Sequence, residues 1–273
     1  MCWRAKTQCG NRERDAASEI LKGYNDKPSH NREFALIQND LLSAKSQEPK
    51  ANMRRTTIPE LLDEDLGTPA EIAASLRDLR RINEWFGGTR TTTNLLRRIA
   101  RAGECQSLSL LEVGAGNGHV PIAARQRLAD EGMTVRVTLL DRAASHLPRN
   151  GTPVVAGNAL ELPFREDAFD VVGCNLLAHH FEPNELGNLA SEALRVARMA
   201  VLINDVIRSR FHLALTYAGL PLFRSRMTWH DAPASVRRAY TLSEMREIVS
   251  RAGARRIECS THYLYRMGFV LWK

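Results

Sequence analysis

The chain has 273 residues, 44% of them hydrophobic, with 38 Lys and Arg against 31 Asp and Glu for a net charge of +7. That length and apolar share suit one large globular domain with an appendage, and no apolar run approaches the length of a membrane span. The positive excess is spread along the chain, which reads as a solvated basic surface rather than a nucleic-acid footprint. The five cysteines are scattered without metal-ligand spacing, so no metal is expected and a reducing, cytoplasmic setting is.

Residues 1–56 are polar, with few large apolar groups, and are expected to form a disordered tail. Met1 to Asn25 holds no signal-peptide core, and Met53 is a plausible alternative start. The folded domain is expected over residues 57–273. Ile58 to Leu66 is short and acidic. Thr68-Pro69-Ala70-Glu71 opens a helix: Thr as N-cap, Pro at the first helical position and Glu at the third. That helix runs through Ile72, Leu76, Leu79 and Ile82 to Gly87-Gly88. A second follows over Asn94 to Ala102, with Thr91, Thr92 and Thr93 offering a cap.

Leu108 to Val113 is an apolar run that reads as a buried parallel strand. It ends in Glu112-Val113-Gly114-Ala115-Gly116-Asn117-Gly118, and His119 to Leu128 then carries apolar residues at helical spacing. Glycines in such a strand-to-helix turn tolerate positive φ and let backbone N–H groups approach a ligand. The spacing is G-x-G-x-G, one residue short of the dinucleotide pattern. Glu112 would repel a pyrophosphate but favour a cationic ligand. Val135 to Leu140 reads as the second strand, ending at Asp141, about where a ribose lies in folds of this type. A carboxylate there has two oxygens for two ribose hydroxyls. Pro153 to Ala156 and Phe169 to Leu176 read as the next strands, Pro183 to Met199 as a helix and Ala200 to Asn204 as the fifth strand. Residues 206–230 form an insertion rich in apolar groups, among them Phe211, Leu215, Tyr217 and Trp229. Thr241-Leu242-Ser243-Glu244 is a capping box, and Ile257 to Tyr263 and Met267 to Trp272 are the last strands.

On these residues the chain resembles the class I S-adenosylmethionine-dependent methyltransferases, whose first motif is E/D-x-G-x-G-x-G; Glu112 to Gly118 match it at every fixed position. Gly157-Asn158-Ala159-Leu160-Glu161-Leu162-Pro163-Phe164 is similar to the G-D-A-x-x-L-P-F segment of small-molecule enzymes related to ubiquinone and menaquinone biosynthesis, with Asn158 in place of the acid. His230-Asp231 and Ser235-Val236-Arg237-Arg238-Ala239-Tyr240 look similar to a segment of methyltransferases found beside polyketide synthases. The resemblance covers residues 68–273. It implies a Rossmann-like, doubly wound α/β fold with a mostly parallel seven-stranded sheet and an antiparallel last strand. N-terminal helices over 57–104 and a helical, lid-like insertion over 206–230 complete the picture.

The resemblance also implies S-adenosyl-L-methionine as cofactor and a small-molecule acceptor, an aromatic hydroxyl or carbon of polyketide or quinone type. It places the cofactor against Glu112, Gly114, Ala115, Gly116, Asn117, Gly118, Asp141, Arg142, Asn158, Ala159, Leu160, Asn175 and Leu176. The acceptor would meet Trp85, Phe86, Arg90, Arg237 and Arg238. His179 and His180 follow the fourth strand and titrate near neutrality, so either is a candidate general base; Asp205 could position an acceptor hydroxyl. The competing readings are an RNA or protein methyltransferase and a non-catalytic cofactor-binding protein. Against the first, Asn175 is followed by Leu176-Leu177 where enzymes acting on nucleobase amino groups or glutamine carry a proline pair.

Overall fold

In the computed structural model, which describes residues 53–64 and 66–273, the apolar runs become strands of one sheet. They are β1 (Ser107–Val113), β2 (Thr134–Asp141), β3 (Val154–Ala156), β4 (Phe169–Asn175), β5 (Ala197–Val206), β6 (Arg256–His262) and β7 (Arg266–Trp272). The tail expected over residues 1–52 lies outside the described residues. The strand order is β3-β2-β1-β4-β5-β7-β6. The pairs from β3 to β5 are parallel, and β7 runs antiparallel to both β5 and β6. The helices are α1 (Pro69–Trp85), α2 (Gly88–Ala102), α3 (His119–Ala129), α4 (Pro183–Val196), α5 (Arg210–Gly219), α6 (Arg226–Arg238) and α7 (Leu242–Val249).

Because successive side chains on a strand face opposite ways, the doublets Leu110-Leu111, Val171-Val172 and Leu202-Ile203 serve two cores. Leu110, Val171 and Leu202 pack with Leu96 and Ile99 of α2 and Leu128 of α3. Leu111, Val172 and Ile203 pack with Leu186 and Leu189 of α4 and Met245 of α7. Both faces of the parallel sheet are thus covered, which is why its strands read as unbroken apolar runs. The chain winds from β1 outward in both directions, so the carboxyl ends of β1 and β4 flank the switch point where ligands bind in such sheets.

Two helix boundaries differ from the sequence expectation by several residues. Helix α2 starts at Gly88, so Thr91, Thr92 and Thr93 lie inside it, buried, rather than capping it. Gly87 supplies the turn with a φ of +81°, and the Thr93 hydroxyl donates to the Thr89 carbonyl, which contents it within a helix. Helix α4 stops at Val196, because Ala197 is already extended and pairs with Phe169 of β4. The capping boxes Thr68–Glu71 and Thr241–Glu244 form as expected. The insertion folds into α5, a short turn at Leu220–Leu222 and the start of α6, leaving Phe211, Tyr217, Leu222 and Trp229 exposed. Among the described residues, no helix is long and apolar enough to cross a membrane.

Candidate active site

The carboxyl ends of β1, β4 and β5 present Glu112, Asn175 and Asn204, all buried. Asn175 donates to Glu112 Oε1 from its backbone N at 3.1 Å and from Nδ2 at 2.7 Å. Asn204 Nδ2 donates to Asn175 Oδ1 and to the Thr92 hydroxyl, both at 2.9 Å, and the Thr92 hydroxyl donates to Asn175 Oδ1. The buried Thr92 of α2 thus ties the helix to the ends of β4 and β5. Glu112 Oε2 is buried with no partner, and burial pushes the Glu112 carboxyl up to about 7 against the pull of the two Asn175 bonds. A cation beside Oε2 would hold that carboxylate ionised.

The glycine turn lies beside this carboxylate. A Cβ on Gly114 would stand 2.5 Å from Leu177 Cδ1, whereas one on Gly116, at φ +51°, would meet nothing within 4 Å. The backbone at Gly116 therefore borders open space, as a loop cradling a ligand must. Asp141 joins the turn to β2: Oδ2 accepts from Gly116 N at 2.7 Å and Oδ1 from Ala143 N at 2.9 Å. Each oxygen keeps a second lone pair. Asn158 Oδ1 accepts from Leu160 N at 3.0 Å, closing a local turn. A cavity of about 600 Å³ runs along these residues. Every residue expected to bind cofactor lines it except Gly118 and Leu160. Gly118 is a packing glycine, since its Cβ would fall 2.4 Å from Leu139 Cδ1, and Leu160 spends its amide on Asn158.

Past the cofactor side, the same cavity is lined by Glu60, Asp63, His179 and His180. The two histidines sit in a one-turn helix, Ala178–His180, after β4. Asp205, on β5, accepts from His179 N at 3.0 Å through Oδ2 and faces His179 Nδ1 at 2.7 Å through Oδ1. His179 Nε2 stands 3.4 Å from Glu60 Oε1, an ion-pair distance, and makes no hydrogen bond. Asp63 Oδ2 pairs with His180 Nδ1 at 2.6 Å. Burial opposes charge on His179, but the carboxylates of Asp205 and Glu60 outweigh it and push the ring up to about 10. The same pairing holds Asp205 and Glu60 below their ordinary ranges although burial would raise both. That shift favours the protonated ring, which donates a proton rather than taking one, and so weighs against His179 as the expected base.

Glu60 and Asp63 come from a strap, residues 53–64, that the acidic run at Ile58–Leu66 only hinted at. The strap is tied down largely by the segment around α6. Asp231 accepts from the amides of Leu61 and Leu62 at 2.8 and 3.1 Å. The Ser235 hydroxyl donates to Glu60 Oε1 at 2.9 Å. Arg238 donates to the carbonyls of His180 at 2.9 Å and Ile58 at 3.3 Å. Arg55 reaches the carbonyls of Arg238 at 2.7 Å and Phe181 at 2.9 Å, and pairs with Glu182 at 3.0 Å. Residues 53–56, expected in the tail, therefore belong to the domain.

Not every expected acceptor residue is brought in. Arg238 lines the cavity, but Arg237 faces away, donating to the Tyr217 hydroxyl at 2.8 Å. Trp85 is exposed and packs on Phe223, 6.4 Å between rings. Arg90 lies over the Tyr263 ring at 5.4 Å. Neither Trp85, Phe86 nor Arg90 lines the cavity, and α1 contributes Leu76, Leu79 and Asn83 instead. None of residues 206–230 lines it either. The strap already covers that side, so the insertion is not a lid in this conformation.

A sheet of this order, with an acidic glycine-rich turn after β1 and an acid ending β2, is similar to the fold of the class I S-adenosylmethionine-dependent methyltransferases. Residues 111–201 match the family described as a methyltransferase domain. The chain is 29% identical over 105 residues to the uncharacterized methyltransferase YcgJ of Bacillus subtilis (strain 168), a match covering 37% of this chain and about two fifths of that relative. The fold is similar to the plantazolicin methyltransferase BpumL solved with SAH, with a TM-score of 0.58, 11% identity and 78% of this chain and 94% of that one covered. A putative O-methyltransferase from Nostoc punctiforme PCC 73102 gives a TM-score of 0.50 at 17% identity, covering 86% of this chain and 68% of that one.

Proposed function

We propose that the whole protein transfers a methyl group from S-adenosylmethionine to the hydroxyl oxygen of a small aromatic acceptor. The observation that carries this reading is the single cavity joining the glycine turn, Asp141 and Asn158 to the Glu60–His179–His180 cluster under the strap. When bound, the sulfonium would supply an electrophilic methyl group to the acceptor oxygen, the carbon–sulfur electron pair going to sulfur. Glu112 Oε2 receives the cationic end of the cofactor. Asp141 accepts from the ribose hydroxyls through its remaining lone pairs, and the Asn158 side chain and Ala159 amide meet the adenine edge. Positioning is the main task, since nucleophile and methyl must be held roughly 3 Å apart and in line.

His179 and His180, each oriented by a carboxylate, face the acceptor side. Glu60 is the carboxylate within reach of both Nε2 atoms, at 3.4 and 3.9 Å, and with Asp63 it lines the cavity where the hydroxyl proton would be released. A strap held across the cavity by part-buried hydrogen bonds favours a small acceptor over a polymer. Incubating the protein with labelled cofactor and a panel of phenols, quinols and host extract tests the reading. Label transfer to a phenolic oxygen supports it; transfer only to bulk RNA or protein overturns it.

A further inference from the structure

We propose that Glu60, His179 and His180 form a binding site for a divalent transition-metal ion, with both histidines coordinating through Nε2 and Glu60 through its carboxylate. Their ligand atoms all lie within 4.8 Å of one another. Nε2 of His179 and of His180 stand 3.4 and 3.9 Å from Glu60 Oε1. Donors bound to one ion at roughly 2.0–2.2 Å lie about 3–3.5 Å apart, so the first distance already fits and the second needs a small closure.

The surroundings are those of a built site. Metal-binding imidazoles are commonly oriented by a carboxylate on the other ring nitrogen, and both rings here have one: Asp205 on His179 Nδ1 at 2.7 Å and Asp63 on His180 Nδ1 at 2.6 Å. That arrangement turns both Nε2 atoms toward the same carboxylate. His179 is 2% exposed, and its Nε2 has no hydrogen-bond partner. Glu60 is 8% exposed and is held by the Ser235 hydroxyl at 2.9 Å. Three carboxylates thus converge on two imidazoles, while Arg238 and Arg55 donate to the backbone carbonyls of His180 and His179.

Two imidazoles and one carboxylate suit zinc, iron or manganese rather than magnesium, which prefers all-oxygen ligands. Three protein ligands leave coordination positions open, as in catalytic sites. Because the cluster lines the cavity, those positions suit an oxygen of the acceptor. This role rests on the methyl-transfer reading above and narrows the acceptor to one bearing an ionisable hydroxyl.

The test uses the full chain, stripped with chelator and dialysed against Zn²⁺, Mn²⁺, Fe²⁺ under argon, or Mg²⁺, each alone. One equivalent of Zn²⁺, Mn²⁺ or Fe²⁺ is expected to bind, with Mg²⁺ at least tenfold weaker. Glu60→Gln and His180→Ala should each weaken binding at least tenfold while SAH affinity stays within twofold. The Co²⁺ visible spectrum of the wild-type protein gives a second readout that needs no variant: bands of nitrogen–oxygen coordination are expected, and the spectrum of aqueous Co²⁺ would overturn the site. So would stoichiometry below one half for every ion, or binding indifferent to both substitutions. SAH binding and methyl transfer without metal retention would sink the metal site alone. Metal binding without SAH binding would sink the methyl-transfer reading alone.

Discussion

The buried carboxyl of Glu112 makes cofactor binding depend on pH in a calculable way. Its Oε2 has no partner, and burial holds the group up to about 7 in the ligand-free protein. The ammonium of bound SAH beside Oε2 would favour the charged form and return the group toward its ordinary value of 4.5. Binding then requires loss of the Glu112 proton, so affinity follows the ionised fraction. At pH 6 about one molecule in eleven is ionised, and at pH 7.5 about three in four, which predicts roughly an eightfold gain in affinity, or about 1.2 kcal/mol.

Titration calorimetry with SAH at pH 6 and 7.5, in buffers of different ionisation enthalpy, measures both the gain and the released proton. Glu112→Gln should bind more weakly at pH 7.5, lose the pH dependence and release no proton. The stability of the free protein has the opposite sign. A carboxyl raised on folding stabilises the protonated protein fully below about 4.5, and that contribution of roughly 3 kcal/mol is lost as pH rises through 7. Glu112→Gln should therefore gain stability relative to wild type between pH 5 and 8. Equal SAH affinity at both pH values in the wild type would refute the argument that Oε2 meets the ammonium.

Asp141→Ala should weaken SAH binding by about 1.5–3 kcal/mol, the range for hydrogen bonds to a charged group, while the sheet stays folded because Asp141 ends its strand; unchanged calorimetric affinity would remove it from the ribose site. Asp231→Ala strips the acceptors from the Leu61 and Leu62 amides. It should raise acceptor KM and lower stability by about 1–3 kcal/mol, leaving SAH affinity within twofold; equal loss of SAH affinity would show that the strap also shapes the cofactor end. Phe211→Ala with Leu215→Ala, at exposed positions outside the cavity, should leave KM, kcat and the melting temperature nearly unchanged. A rise in acceptor KM alone would restore the insertion as a moving cover.

Much of the glycine-turn side of the cavity was legible in the sequence because its signals are local. A strand, a glycine turn and a helix are contiguous, so Glu112 to Gly118 announce themselves by spacing, and Asp141 and Asn158 follow at the ends of the next two strands. The doublets Leu110-Leu111 and Val171-Val172 likewise disclose strands buried on both faces, since each neighbour must find its own core. The capping boxes at Thr68 and Thr241 were readable for the same reason: their partners stand three residues apart.

The acceptor side depends on contacts across the whole domain. His179 and His180 could be singled out after β4, but nothing local says that Asp205, 26 residues on, fixes one ring, or that Glu60 and Asp63 arrive from the other end of the domain. Arg237 and Arg238 are neighbours of identical type, and only the packing of α6 sends one to the Tyr217 hydroxyl and the other into the cavity. Thr91 to Thr93 read as a cap because threonine favours that position, yet all three are buried inside the helix, with Thr92 bonded to Asn204 and Asn175. Sequence alone determined the class of fold and where the glycine turn and the strand-end loops that line the cavity lie, because these follow from periodicity and near-neighbour chemistry. Tertiary structure decided which charged groups share the acceptor cavity, because charges distant along the chain acquire a partner, a shifted protonation state or a common ligand only when the fold brings them within a few ångströms.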